Sequence, residues 1–386
     1  MKKKIRILRI VSSLDPKYGG PSKTIIDSSK ILKKQGFNID ILTSDRISSS
    51  FFKSKKINIF NKGPAFGNYR FNFKLFFWLL KNRKNYDHFI IHGIWEFNTL
   101  IARILLKNNY YVFTHGQLDP FFKSQYIKKI KKQIYWSLFE KKNLLNSKSL
   151  LLTSEKEKKL LSNTYVNTKD IKKTVIKYGI KKPEYNRKEG IKKFYNKFPK
   201  LKNKKFLLFL GRFHKKKGCE ILIKSIKKMI ENKNNVYILM AGPENDYKVK
   251  LKKLANKYNL NNNIFWSNMI LGNIKWGAIT ASNGMVLSSH GENFGVSLVE
   301  SLSCSRPVLT TDKVNIYKEI LKSKAGYVSK NNVNSFYLIL KKFNNLSMTN
   351  IRKLNLNSQK CFKKNFDLQS KKESFGNFLT KEYNKK

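Results

Sequence analysis

Residues 206–243 read FLLFLGRFHKKKGCEILIKSIKKMIENKNNVYILMAGP, and they decide the fold. The apolar run Phe206–Leu210 stops at Gly211, and Gly218 precedes a helical stretch. A second apolar run, Val236–Met240, follows that helix. Strand, helix and strand in this order are the unit of a parallel α/β sheet. The alternation continues downstream through strand candidates Ile264–Phe265, Gly284–Leu287, Pro307–Leu309 and Gly326–Val328. Upstream it has already run once, through Ile5–Val11, Phe37–Leu42, His88–Ile91, Tyr110–Thr114, Leu150–Thr153 and Thr174–Lys177. Helical stretches Ser22–Lys34, Phe73–Lys81, Thr99–Lys107 and Gln125–Leu145 lie among those strands.

Between Lys181 and Lys205 the alternation stops in a Lys-, Asn- and Tyr-rich stretch with Pro183 and Pro199. The chain has 386 residues, more than one hydrophobic core comfortably serves. The expected organisation is α/β with two doubly wound, Rossmann-like domains. They are residues 1–180 and 206–348, with 181–205 as interdomain linker and 349–386 as terminal helices packed over the domains. Such domains bind ligands at the carboxyl ends of their strands, so the residues just after each strand matter most.

The charge is extreme: 80 Lys+Arg against 24 Asp+Glu, formally +56. Hydrophobic residues at 41% and aromatics at 13% exclude wholesale disorder. Only ten of the basic residues are Arg, which leaves 70 Lys. Base-edge recognition leans on the planar fork of Arg, so a specific nucleic-acid partner is the least favoured reading. Compositional drift comes first, with an anionic membrane surface second. Cys219, Cys304 and Cys361 form neither a disulfide framework nor a metal pattern, which suits a reducing compartment. Met1–Lys4 resembles a signal n-region, but the charged run Ile5–Val11 after it does not. The apolar stretch Phe71–Leu80 is half the ~20 residues that span a bilayer. A cytoplasmic protein is expected, or one peripheral on the inner face of the cytoplasmic membrane.

Five strand ends carry residues suited to chemistry. After the first strand, Gly19, Gly20 and Pro21 lead into a helix, as a plain turn or as a loop that lets backbone approach a phosphate. The fourth strand candidate ends in His115-Gly116 and its neighbour in His92-Gly93, endings that serve a cleft or a satisfied core equally. In the second half, Arg212 and Lys217 follow a strand and make a cationic site suited to a diphosphate. Ser289 to Glu300 is the strongest feature. Glu292 lies in a loop where a carboxylate can meet sugar hydroxyls, and Gly295 opens a helix whose N–H groups can face phosphate oxygens. Glu300 follows inside that helix. No GxGxxG fingerprint and no Asp-rich metal motif is present.

Together these residues resemble the retaining GT-B glycosyltransferases called glycosyltransferase group 1 (family 4), over nearly the whole chain. The resemblance rests on Gly19-Gly20-Pro21, His115-Gly116, Gly211-Arg212 with Lys217-Gly218, Ala241-Gly242-Pro243, Glu292 to Glu300, and Pro307 to Thr311. It implies two domains facing a central cleft, with a UDP- or GDP-sugar donor held mainly by the second. Arg212 and Lys217 would grip the diphosphate, helped by backbone at Gly19 and Gly20. Glu292 would contact the transferred sugar, with Asn293, Phe294 and Gly295 around it, and Glu300 would hold the ribose. His115 would approach the donor sugar from the acceptor side. The implied reaction is retaining and metal-independent, with no cofactor beyond the donor substrate. The acceptor would be a glycan or lipid-linked, in cell-surface polysaccharide or lipopolysaccharide synthesis. A sugar-nucleotide epimerase of the same fold and a non-catalytic basic binder of nucleic acid or membrane are the alternatives. Two places depart from the family pattern. Tyr178-Gly179 replaces an Asn-Gly pair, and Ser305 stands near where a glycine ends the helix, at an expected backbone strain of ~1 kcal/mol.

Residues 121–145 form a basic, amphipathic stretch. Ile127, Ile130, Ile134 and Leu138 recur at helical spacing among Lys128, Lys129, Lys131 and Lys132. Either the stripe is buried against the domain, or the helix docks to anionic lipid with Phe121, Phe122 or Trp136 in the headgroups.

Overall fold

The computed structural model describes residues 4–18, 21–49, 51, 57–119, 126–161, 168–176, 179–368 and 375–385. The chain divides into two compact units, one of residues 1–178 with 371–386 and the other of residues 179–370.

The first unit contains β1 (Arg6–Val11), α1 (Pro21–Lys34), β2 (Asn38–Thr43), β3 (Asn58–Asn61), α2 (Phe73–Asn82), β4 (His88–His92), α3 (Phe97–Leu106) and β5 (Tyr110–Phe113). It continues with α4 (Tyr126–Tyr135), α5 (Lys141–Leu145), β6 (Ser149–Leu152), α6 (Glu155–Leu161) and β7 (Lys173–Val175). A π-turn over Trp136–Glu140 joins α4 to α5. All seven strands are parallel, in the order β3-β2-β1-β4-β5-β6-β7. Because both faces of such a sheet are covered by helices, its central strands read as largely apolar runs. Strand β3, at the sheet edge and half-exposed, has no such run, and periodicity misses it.

The second unit contains α7 (Arg187–Lys197), β8 (Phe206–Leu210), α8 (Cys219–Glu231), β9 (Tyr237–Ala241), α9 (Asp246–Lys257), β10 (Ile264–Ser267) and α10 (Gly272–Ala281). Then follow β11 (Gly284–Leu287), α11 (Val296–Ser303), β12 (Val308–Thr311), α12 (Tyr317–Lys322), β13 (Gly326–Ser329), α13 (Val333–Asn344) and α14 (Met348–Asn365). Its six strands are parallel too, in the order β10-β9-β8-β11-β12-β13. Two doubly wound Rossmann-like sheets are therefore present, as expected. In each, strand order reverses at the middle, between β1 and β4 and between β8 and β11, which is where such sheets take ligands.

Three expectations change. Residues 181–205 are not a free linker: they carry α7, which packs closely on α10, and Gly190 and Gly277 bring the two backbones together. The terminal segment is split, with α14 in the second unit and α15 (Phe375–Tyr383) in the first, where Leu379 joins the core. Of the basic helix's apolar stripe, the side chain of Ile127 lies outside the described residues and the other three members are not buried. Ile130, Ile134 and Leu138 are 51%, 54% and 55% exposed, while Trp136, Glu140 and Leu144 are buried. Ile134 stands two residues from Trp136, about 200° around the helix, and so faces away from the core. Buried Trp136 cannot enter a headgroup layer; Phe121 and Phe122 lie outside the described residues. Among the described residues no helix is long and apolar enough to cross a membrane.

Candidate functional site

In the second unit, the loops after β8 and β11 lie side by side at the sheet's switch point. Arg212 is exposed and makes no hydrogen bond or ion pair to another described residue. Residues Lys215–Lys217 form one 3-10 turn, closed by Gly218 at φ +63°. This turn is stitched to the end of β11. Ser288 Oγ donates to Gly218 O (2.7 Å), Ser289 Oγ to Lys216 O (2.7 Å), and the His290 amide to Lys216 O (2.8 Å). Thus Lys217 is held where its Nζ pairs with Glu292 Oε2.

The acidic loop is itself pinned. The Glu292 amide donates to Lys313 O (3.2 Å), and Glu292 O accepts from the Asn315 amide (2.9 Å). Asn315 Nδ2 donates to Asn293 Oδ1 (3.2 Å), and Phe294 packs edge-on against Phe366. Gly295, at φ +66°, caps α11 in a left-handed conformation that favours glycine. Burial pushes the Glu292 carboxyl up, but Lys217, Lys216 and the Gly295 amide more than offset this and hold it below the usual range. Glu300, in the second turn of α11, is buried, and its Oε1 accepts from Lys275 Nζ at 2.6 Å. Each glutamate thus has one oxygen on a lysine. Lys275 escaped the sequence reading because one Lys among 70 carries no contrast.

Ser305 sits just past α11 at φ +59°, the left-handed conformation expected to strain it. Tyr178 lies outside the described residues, as do Gly19 and Gly20; Pro21 opens α1.

In the first unit His115 follows β5 at φ +48°, and its turn is fixed by Glu157 on α6. One Glu157 oxygen accepts from Thr114 Oγ1 (2.8 Å) and the Gly116 amide (3.2 Å), the other from the Thr153 amide (2.7 Å) and Thr153 Oγ1 (3.0 Å). His92 Nδ1 and His115 Nε2 are 2.9 Å apart. Burial, and then the charge of Arg9, push the His115 imidazolium down to about 3. His115 is therefore neutral, and the two histidine endings noted in sequence meet directly. The acid on α6 and the buried Arg9 were missed. Arg9 had left a signal, a charge inside an apolar strand.

Comparison with known proteins now places the second unit. Residues 191–348 match the family of glycosyl transferases group 1. Most of the second unit thus carries the sequence pattern of that family. An uncharacterized glycosyltransferase of Methanocaldococcus jannaschii is 30% identical to this chain over 173 residues, 45% of this chain and 41% of that protein. The match thus spans less than half the length of that relative. The alpha-monoglucosyldiacylglycerol synthase of Streptococcus pneumoniae is 23% identical over 317 residues, 79% of this chain and 70% of that one. The Anabaena protein Alr3699/HepE, solved with UDP and glucose, superposes with a TM-score of 0.75 over 98% of this chain and 100% of its own, at 15% identity. That likeness shows the fold, the GT-B pair of doubly wound sheets.

Proposed function

We propose that this chain is a retaining glycosyltransferase that moves a sugar from a UDP- or GDP-sugar to a glycan or lipid-linked acceptor. The carrying observation is the group 1 match over the unit where Arg212 and Lys217 follow one central strand and Glu292 and Glu300 follow its neighbour. The same match favours transfer over epimerisation or simple binding. In the reaction the anomeric C–O bond to the diphosphate breaks. An acceptor hydroxyl oxygen bonds to that carbon on the same face, and its proton leaves on the departing phosphate oxygen. Positive charge grows on the sugar and negative charge on the diphosphate. Exposed Arg212 and the braced Lys217 meet the latter, each contributing a few kcal/mol, so the reading needs no divalent metal. Glu292 takes sugar hydroxyls, the Asn293–Gly295 segment supports sugar and phosphate, and Glu300 takes the ribose. His115 of the first unit would serve the sugar, and Gly19-Gly20, which lie outside the described residues, the diphosphate.

The UDP and glucose held by the Anabaena protein support the donor class, and the pneumococcal protein's name supports a lipid-linked acceptor. Exposed Ile130, Ile134 and Leu138 on a lysine-rich helix support docking to an anionic membrane, at the inner face, in cell-surface polysaccharide or lipopolysaccharide synthesis. Flotation with anionic liposomes tests this; failure to bind at low salt removes the docking element. For the reaction, a screen of UDP-, GDP- and ADP-sugars by nucleotide release identifies the donor. With it, Glu292→Ala is expected to lower turnover about 10²-fold or more. Wild-type turnover in that variant would overturn the site.

A further inference from the structure

The first unit contains a buried chain of hydrogen bonds whose directions are all determined. Arg9 points from β1 to helix α1 on one side and to His92 on the other, and is 2% exposed. Its Nη1 donates to Ile25 O (3.0 Å), Ser28 Oγ (2.7 Å) and Ser29 Oγ (2.8 Å). Both serine hydroxyls give their own protons to helix carbonyls, Ser28 to Thr24 O (2.7 Å) and Ser29 to Ile25 O (2.7 Å), so toward Arg9 they only accept. Arg9 Nε lies 3.0 Å from His92 Nε2.

A guanidinium has donors only, so His92 Nε2 must be the bare, accepting nitrogen. The His92 proton is then on Nδ1, 2.9 Å from His115 Nε2, which must accept it in turn. The ring planes of His92 and His115 lie 23° apart, close to the coplanarity that an in-plane hydrogen bond requires, and Phe113 lies nearly parallel to both. By elimination the His115 proton sits on Nδ1, which meets no acceptor among the described residues.

We propose that Arg9 and His92 are positioning residues that lock His115 into its Nδ1–H tautomer, so that it presents one outward hydrogen-bond donor to a sugar hydroxyl oxygen. The functional half of this statement rests on the reading of His115 as a sugar-side residue. Protonating either ring would set two donors face to face along the chain, which agrees with the downward push that burial and Arg9 exert on both imidazoles. Among the described residues, the charged groups around the rings are Arg9 from β1 and, on the turn that carries His115, Glu157 from α6.

The test uses the full chain labelled with 15N-histidine, read by long-range 1H–15N correlation between pH 5.5 and 8.5. The His115 signal is assigned by its loss in His115→Gln. Expected are two Nδ1–H rings, His92 and His115, that do not titrate across the range. An Nε2–H His115, or a midpoint near 6.5, overturns the proposal whatever the activity. In Arg9→Met the His115 ring is expected to populate Nε2–H and to titrate, with kcat reduced ~10-fold and KM for the donor little changed. If that variant does not fold, the wild-type spectrum still decides. His115→Ala transferring sugar at the wild-type rate would remove the sugar-side reading and leave the tautomer assignment standing.

Discussion

Gly218→Ala probes how tightly the second unit builds its cationic loop. A Cβ at position 218 would lie 2.0 Å from Ser288 O and 2.8 Å from the Ser288 carbonyl carbon. Both are backbone atoms at the end of β11, so no rotamer relieves the clash. Restoring even a 3.0 Å approach separates the two loops by about 1 Å. Three hydrogen bonds span that gap, Ser288 Oγ to Gly218 O, Ser289 Oγ to Lys216 O, and the His290 amide to Lys216 O. At ~1 kcal/mol each, with ~1 kcal/mol for alanine at φ +63°, the cost is about 4 kcal/mol. In a unit of this size that lowers the melting temperature by roughly 10 °C. The assay is thermal melting of wild type, Gly218→Ala and Ser288→Ala, the last removing one of the three bonds and costing ~1 kcal/mol. A Gly218→Ala protein melting within about 2 °C of wild type, or no lower than Ser288→Ala, would refute the reasoning.

Two further perturbations follow from local strain and buried charge. Ser305→Gly, relieving a left-handed φ of +59°, is expected to stabilise the chain by ~1 kcal/mol, seen as a raised melting temperature with unchanged turnover. Glu140 is wholly buried beside Thr99 and Asn143, and burial pushes its carboxyl up to about 7 from an ordinary 4.5. Because the folded-state value is raised, the folded protein holds this proton more tightly, and stability is lost as pH rises from 4.5 to 7. Glu140→Gln removes that loss, so its advantage over wild type should grow by about 2–3 kcal/mol between pH 4.5 and pH 8 in paired urea titrations. A pH-independent difference would contradict it.

Elements buried on both faces were legible in the sequence because apolar residues dominate them; β8 and β11 fall at the bounds their runs predict. Edge strand β3 and helix α7 were not. Asn58–Asn61 meets solvent, and α7 buries only Gly190 and Phe194, so neither displays a full period. The isoleucine stripe misled for a related reason. A hydrophobic period shows that a helix has an apolar face, but not that the face meets the core. Here the π-turn and Trp136 dock the opposite side.

The candidate site was legible through scarcity rather than periodicity. In a chain of 70 Lys, a lysine's position says little, whereas ten Arg and 24 acids must each have a reason. That contrast singled out Arg212, Glu292 and Glu300. Applied evenly, it would also have raised Arg9, which interrupts the apolar strand Arg6–Val11, and Glu157, an acid in the helix Glu155–Leu161. Both stand one layer behind His115: Arg9 reaches it through His92, and Glu157 holds its turn through four hydrogen bonds. Scarcity therefore marks residues that must be charged where they stand. Whether such a residue touches a ligand or braces one that does depends on burial, which the alternation of strands and helices does not encode for a side chain inside a strand.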